Sequence, residues 1–243
     1  MGTSADRGAG SGGAWTTLKR AATGYARSAS GGSGGARVPA ERVLGRHVAV
    51  LGGAGAAAGS ARSGTTGLSR LGGLLAGVGD AGLGTTLDAL GLAHLVGRDR
   101  FEVLDELITL VAGDASDIES QAARDAACDV LDALYADADT WEELEATAVS
   151  TEQLRGLLTL FVAKYVYNRL PVLAERLARL LDPAAVKEAD QQIVGMIHDL
   201  VSLRMPEDPL TFDWGGAAGK AFANDAMREV YELLSELGGE DEP

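Results

Sequence analysis

The sequence predicts an all-α protein, a multi-helix bundle with a flexible Gly/Ser-rich N-terminal leader, on three observations. Apolar residues recur three and four apart, as in Phe101, Leu104, Leu107, Ile108 and Val111, which is the spacing of one helix face. Pairs with capping-box spacing or a close analogue recur at Asp99 with Glu102, Ser116 with Glu119, Thr140 with Glu143 and Ser150 with Gln153, so consecutive helices should begin there. No convincing run of alternating β-branched residues marks a strand.

Taken in order, residues 2–13 read GTSADRGAGSGG and carry nothing larger than Arg7, too little surface to offset the entropy of ordering them. A short helix is expected over Trp15 to Ser28, followed by the linker-like stretch Ser30 to Gly35; residues 1–36 make up the leader. Pro39, Ala40 and Glu41 look like a helix start and open a Gly/Ala-rich basic helical region, 37–97. Each glycine costs a helix up to ~1 kcal/mol relative to alanine, so these helices should be loosely stable, with Gly55 and Gly59, and Gly73 and Gly77, spaced for close backbone contact.

An acidic helical domain is expected over 98–238. Its first helix follows Asp99; the second carries Ile118, Ala122, Ala126, Val130, Leu131 and Leu134 and exposes Asp125, Asp129 and Asp132. A short helix around Trp141 and Leu144 leads into a long one from Leu154 to Leu181, which Pro171 should kink or divide. Asp182 and Pro183 read as cap and first turn of a helix through Ile193, Ile197 and Leu200. Pro206 to Gly216 is a loop, a final helix runs from about Lys220 to Leu237, and the acidic tail 239–243 should fray.

Composition narrows the function classes. With 46% apolar residues in 243 the chain has the means to build a core. The single cysteine, Cys128, excludes an internal disulfide or a multi-thiolate metal site and suits a reducing cytosol. The net charge of −14 conceals a division: residues 1–100 hold 11 Lys+Arg against 5 Asp+Glu, and residues 101–243 hold 10 against 30. Glycine divides the same way, with 25 of its 33 residues in the first hundred. Gly and Ser stand where a signal peptide needs an apolar core, so a cytoplasmic location is expected. The uncharged stretches Val48 to Ala61 and Leu71 to Gly79 fall short of the ~18–20 residues that cross a bilayer.

Motifs for small-molecule chemistry are weak. VAVLGGAGAAAG places Gly53, Gly55 and Ala58 in the order of a dinucleotide fingerprint, but no parallel strand follows, and the first acidic residue after Glu41 is Asp80. Gly59 to Thr66 has P-loop spacing with Thr65 where the phosphate-binding lysine belongs. His47, His94 and His198 are far apart. Asp125, Asp129 and Asp132 read as a solvated face, and no serine sits in a nucleophile elbow. No cofactor and no metal are therefore expected, and the chain does not read as an enzyme. The basic residues of the first hundred are diluted among glycines without aromatic partners, which favours contact with protein over nucleic acid. Trp214, Gly215 and Gly216 give a WxG triplet of the sort found in small secreted helical hairpins, discounted in a chain this long.

The N-terminus carries the most specific chemistry. Gly2 follows the initiator Met, and a small second residue permits removal of that Met. The resulting α-amine, with a pKa near ~8, keeps a useful neutral fraction at neutral pH, and no Cβ obstructs its attack on an acyl group. Myristoylation would want Ser or Thr where Asp6 stands.

The start MGTSADRGAGSGG, the Gly/Ala-rich basic region and the acidic helical body with LRGLLTLFVAKYVYNRL together resemble the QatB family of bacterial anti-phage defence proteins. The chain departs from the family's leader pattern at Ala5, Asp6 and Arg7. The resemblance implies a non-enzymatic component of a four-gene operon that also encodes an ATPase, a QueC-like enzyme and a TatD-like nuclease. It also implies that the QueC-like partner joins an ATP-activated deazaguanine carboxylate to the Gly2 amine, reading Thr3 and Ser4 beside it. Two other readings stand next to this one. The small-residue spacing within 40–97 resembles helix-association surfaces of bilayers, as in a membrane-active effector, although Arg70, Asp80 and Asp88 interrupt it. Alternatively, the chain is a scaffold for the operon ATPase and Gly2 is incidental.

Overall fold

The computed structural model describes residues 11–29, 38–179, 183–201 and 203–237. The described residues form twelve α-helices and no strand, as the sequence predicts. In chain order these are α1 (Ser11–Ala29), α2 (Ala40–Val50), α3 (Ala54–Gly59), α4 (Arg62–Ala81), α5 (Leu83–Ala89), α6 (Arg100–Ala112), α7 (Ile118–Leu134), α8 (Trp141–Ala146), α9 (Thr151–Asn168), α10 (Pro171–Leu177), α11 (Pro183–Leu200) and α12 (Ala217–Glu236), with one 3-10 turn at Ala93–Leu95.

They fall into two compact units, each built from separate stretches of chain. One takes in the described residues up to Ser60, those of Leu170–Met196 and those from Arg228 onward; the other takes in Ala61–Arg169 and Ile197–Met227. The compositional change near residue 98 lies inside the second.

In the first unit α1 packs against α2 and α10. The apolar stripe of α1, Leu18, Ala22, Tyr25 and Ala26, is buried, as are Val43, Leu44 and Val48 of α2 and Leu173 and Leu177 of α10. Each fully buried leucine or valine contributes about 1.5–3 kcal/mol, which gives the predicted Trp15 to Ser28 helix its reason to form despite two glycines and no acidic residue in its first turn.

In the second unit α4 packs against α5, α6, α7 and α9. Leu68, Leu71 and Leu75 are completely buried, so this glycine-rich helix lies in a core and is not the loosely stable element its composition suggests. The glycines are filled from outside the helix. A Cβ on Gly64 would overlap the Tyr165 ring, one on Gly72 the Trp214 ring, and one on Gly67 would come within 2.7 Å of Phe161 Cζ. The propensity cost of glycine is thus offset by buried aromatic area. Of the expected pairs only Gly77 serves close helix contact: a Cβ there would come within 2.8 Å of Thr86 Cγ2 on α5, whereas one on Gly55 or Gly59 meets nothing within 4 Å and one on Gly73 meets only Trp214 Cβ at 3.5 Å.

The helix starts follow the predicted chemistry with two changes. Thr140 with Glu143 and Ser150 with Gln153 are reciprocal capping boxes for α8 and α9. Asp99 caps α6 by accepting from Phe101 N at 2.9 Å, without Glu102. At α7 the box is Asp117 with Ser120 rather than Ser116 with Glu119, which releases the Glu119 carboxylate for other use. The amides of Ser120 beside Asp117 and of Asp139 beside Glu143 hold both carboxyls below their ordinary values. Pro171 divides the predicted long helix, because as the first residue of α10 it needs no amide proton. Pro183 opens α11 as expected, while Asp182 lies outside the described residues.

Candidate functional site

Gly2, Thr3 and Ser4, the residues to which sequence reasoning assigns modification and recognition, lie outside the described residues. The described chain begins with α1 at Ser11. Its buried stripe faces one way, and Thr16, Lys19, Arg20, Thr23 and Arg27 line a shallow groove of about 350 Å³ on the opposite side. That division follows from the 3.6-residue repeat, which separates the apolar set from the basic one by half a turn.

A second cavity in the same unit has the opposite electrostatic character. It measures about 520 Å³ and is lined by Tyr25, Glu41, Glu188, Gln192 and Met196 among others. The Tyr25 hydroxyl donates to the Ala189 carbonyl at 2.9 Å and to Gln192 Oε1 at 3.4 Å. Burial first, then the carboxylates of Asp190, Glu188 and Glu41, push its pKa up to about 12. An acidic lining of this kind attracts cationic groups and repels phosphates. The unfolded chain releases the Tyr25 proton near ~10 while the folded chain keeps it to about 12. This tyrosine therefore withdraws stability as pH rises through that window. Alkaline unfolding monitored by circular dichroism should show the loss, and Tyr25→Phe should flatten it; an unchanged slope in the variant would contradict the assignment.

In the second unit the polar side chains are committed to structure. Glu119, placed by the first turn of α7, accepts from Ser63 N at 2.6 Å, from Ser63 Oγ at 2.8 Å and from the Tyr165 hydroxyl at 2.6 Å. A carboxylate on the first amides of α4 matches the positive end of that helix. Asp129 pairs with Lys164 at 2.9 Å and Asp132 approaches Arg100 at 3.9 Å, so these members of the predicted aspartate face hold neighbouring cations. No group of metal-ligand type is present among the described residues. Burial and then Asp132 push the Cys128 thiol up, which keeps it protonated and a poor nucleophile.

Trp214 is the feature sequence reasoning undervalued. It is 2% exposed, its indole donates to the Pro209 carbonyl at 2.8 Å, and Phe212 and Phe222 stand edge-on to it at 5.0 and 5.1 Å. The signal was a tryptophan two residues after Phe212 in a short loop beside two glycines, since such a side chain is seldom left without a pocket.

In α4, part of the region invoked for a membrane-active effector, aromatic rings of the same unit fill Gly64, Gly67 and Gly72. No helix of the described residues is long and apolar enough to cross a membrane.

A family described as Qat anti-phage system associated protein QatB matches residues 52–234, which begins just after α2 and ends near the close of α12. No curated protein and no solved structure matches the chain significantly.

Proposed function

Because the chain belongs to the QatB family and is a component of the Qat anti-phage system, we propose that it serves that system as a protein substrate, not an enzyme. The acceptor is the α-amine of Gly2 after removal of Met1. A QueC-like enzyme activates a deazaguanine carboxylate with ATP as an acyl adenylate, the carboxylate oxygen bonding to the α-phosphorus as pyrophosphate leaves. The Gly2 nitrogen attacks the acyl carbon, a C–N bond forms, and AMP leaves with the electron pair of the broken C–O bond. The ammonium proton has already gone to solvent or to a base of the partner, which the ~8 pKa of an α-amine allows, and a second proton leaves the attacking nitrogen for a base of the partner as the amide forms. Gly2 lacks a Cβ that would crowd the tetrahedral intermediate, and the small hydroxylated Thr3 and Ser4 fit a narrow recognition channel beside it. The body binds other components of the system, the ATPase and the TatD-like nuclease among them.

The observation that carries this reading is a Met1-Gly2-Thr3-Ser4 start on a chain whose family belongs to a defence system. Intact mass spectrometry of the chain co-expressed with its operon tests it. The expected species has lost Met and gained the mass of the deazaguanine carboxylic acid less water, and a Gly2→Val variant stays unmodified, because a β-branched side chain blocks the approach. A Met-free, unmodified N-terminus with and without phage would overturn the reading and favour the scaffold role.

A further inference from the structure

Resting on the Gly2 reading, we infer that the basic outer face of α1 is the docking surface for the enzyme that modifies this chain, and that it engages an acidic surface on that enzyme. Lys19, Arg20 and Arg27 are exposed and line one groove with Thr16 and Thr23. The whole of α1 contains no Asp or Glu, although the chain as a whole carries −14. Neither Lys19 nor Arg20 forms an ion pair among the described residues. The other side of the helix is committed to the core through Leu18, Ala22 and Tyr25, so the basic face is the one α1 offers to a partner. From Lys19 to Arg27 is about 12 Å along the axis. At physiological salt, where charges screen over ~8 Å, the three cations act on one patch of a partner.

Position gives this face a use. The backbone from Gly2 to Ser11 spans at most about 30 Å when fully extended. An enzyme holding α1 therefore confines the Gly2 amine to a small volume around its own catalytic centre, converting a bimolecular encounter into an intramolecular one. An acidic protein surface fits better than nucleic acid. Thr16, Lys19, Arg20, Thr23, Gly24 and Arg27 offer no aromatic ring for a base to stack on, and three cations displace few counterions from a polyanion.

The test uses full-length chain and the purified QueC-like component of the same operon. Binding is measured by calorimetry at low and high salt, and Gly2 modification is followed by intact mass. Lys19→Glu, Arg20→Glu and Arg27→Glu combined should weaken binding at least about tenfold and raise KM for modification with little change in kcat, the signature of lost encounter and ground-state binding. Lys19→Ala with Arg20→Ala should give a smaller loss in the same direction, and circular dichroism checks that both variants fold. Binding that the reversal leaves unchanged, or wild-type chain that does not bind, overturns the inference. So does a reversal that abolishes retention of a short RNA while sparing enzyme binding. Wild-type chain that binds through α1 yet stays unmodified would instead sink the Gly2 chemistry and leave the docking surface standing.

Discussion

Replacing Trp214 by alanine is expected to lower stability by about 3–5 kcal/mol, the range for removing a large aromatic side chain from a well-packed core. The ring lies on Gly72 of α4, where a Cβ would overlap it. Phe212 and Phe222 hold its edges at 5.0 and 5.1 Å, and the indole N–H reaches the Pro209 carbonyl at 2.8 Å. Ser69 Oγ of α4 donates to the Trp214 backbone carbonyl, so the loop of residues 206–216 is pinned at side chain and backbone together. Alanine would open a cavity beneath α4 and leave the Pro209 carbonyl without the indole donor. Gly72→Ala attacks the same contact from the other side and should cost about 1–3 kcal/mol by overpacking. Trp214→Phe, which keeps part of the ring but not the donor, should fall between wild type and Trp214→Ala. Urea unfolding followed by circular dichroism checks all three. Trp214→Ala within 1 kcal/mol of wild type would show that this ring is not what fastens the loop.

That contact also shows where the sequence was legible and where it was not. The helices were readable because apolar periodicity and caps are local: Thr140 with Glu143 and Ser150 with Gln153 form the boxes their spacing predicts, and Pro171 divides a helix for reasons contained in its own ring. The glycines of α4 were misread because propensity counts what a glycine costs its helix and is silent about what occupies the vacated space. Gly64 and Gly67 are about 100 positions from Tyr165 and Phe161, the rings that fill them, and nothing local links those residues. The Ser116 and Glu119 pair failed for a related reason. Two overlapping cap patterns competed, Asp117 with Ser120 won, and the outcome turned on Glu119 having a better partner across the unit. At the candidate site, the proposal for Gly2 rests on residue type and position alone, because an unhindered α-amine needs no fold to be nucleophilic. The basic face of α1 needed the structure, since only the burial of Leu18 and Tyr25 shows which way Lys19 and Arg20 point.

Glu119→Ala is expected to cost about 2–4 kcal/mol, a large effect for a half-buried carboxylate on the first turn of a helix. Hydrogen bonds to a charged group contribute about 1.5–3 kcal/mol each. Glu119 accepts from Ser63 N, Ser63 Oγ and the Tyr165 hydroxyl, and water can replace only part of this because Tyr165 is fully buried. The carboxylate thereby ties together α7, the first turn of α4 and α9, three helices that pack on one another. Glu119→Gln keeps an acceptor but loses the charge at the helix end and should cost about 1–2 kcal/mol. Tyr165→Phe leaves the ring on Gly64 and removes only the hydroxyl, with an expected cost of about 1 kcal/mol. If the three-way bridge is the source of the stability, the double variant Glu119→Ala with Tyr165→Phe should be less destabilised than the sum of the two singles, with a coupling of at least about 0.5 kcal/mol. Strict additivity in the denaturant midpoints would mean that Glu119 acts only as a cap on α4. In that case, replacing Ser63 by alanine should reproduce a good part of its effect.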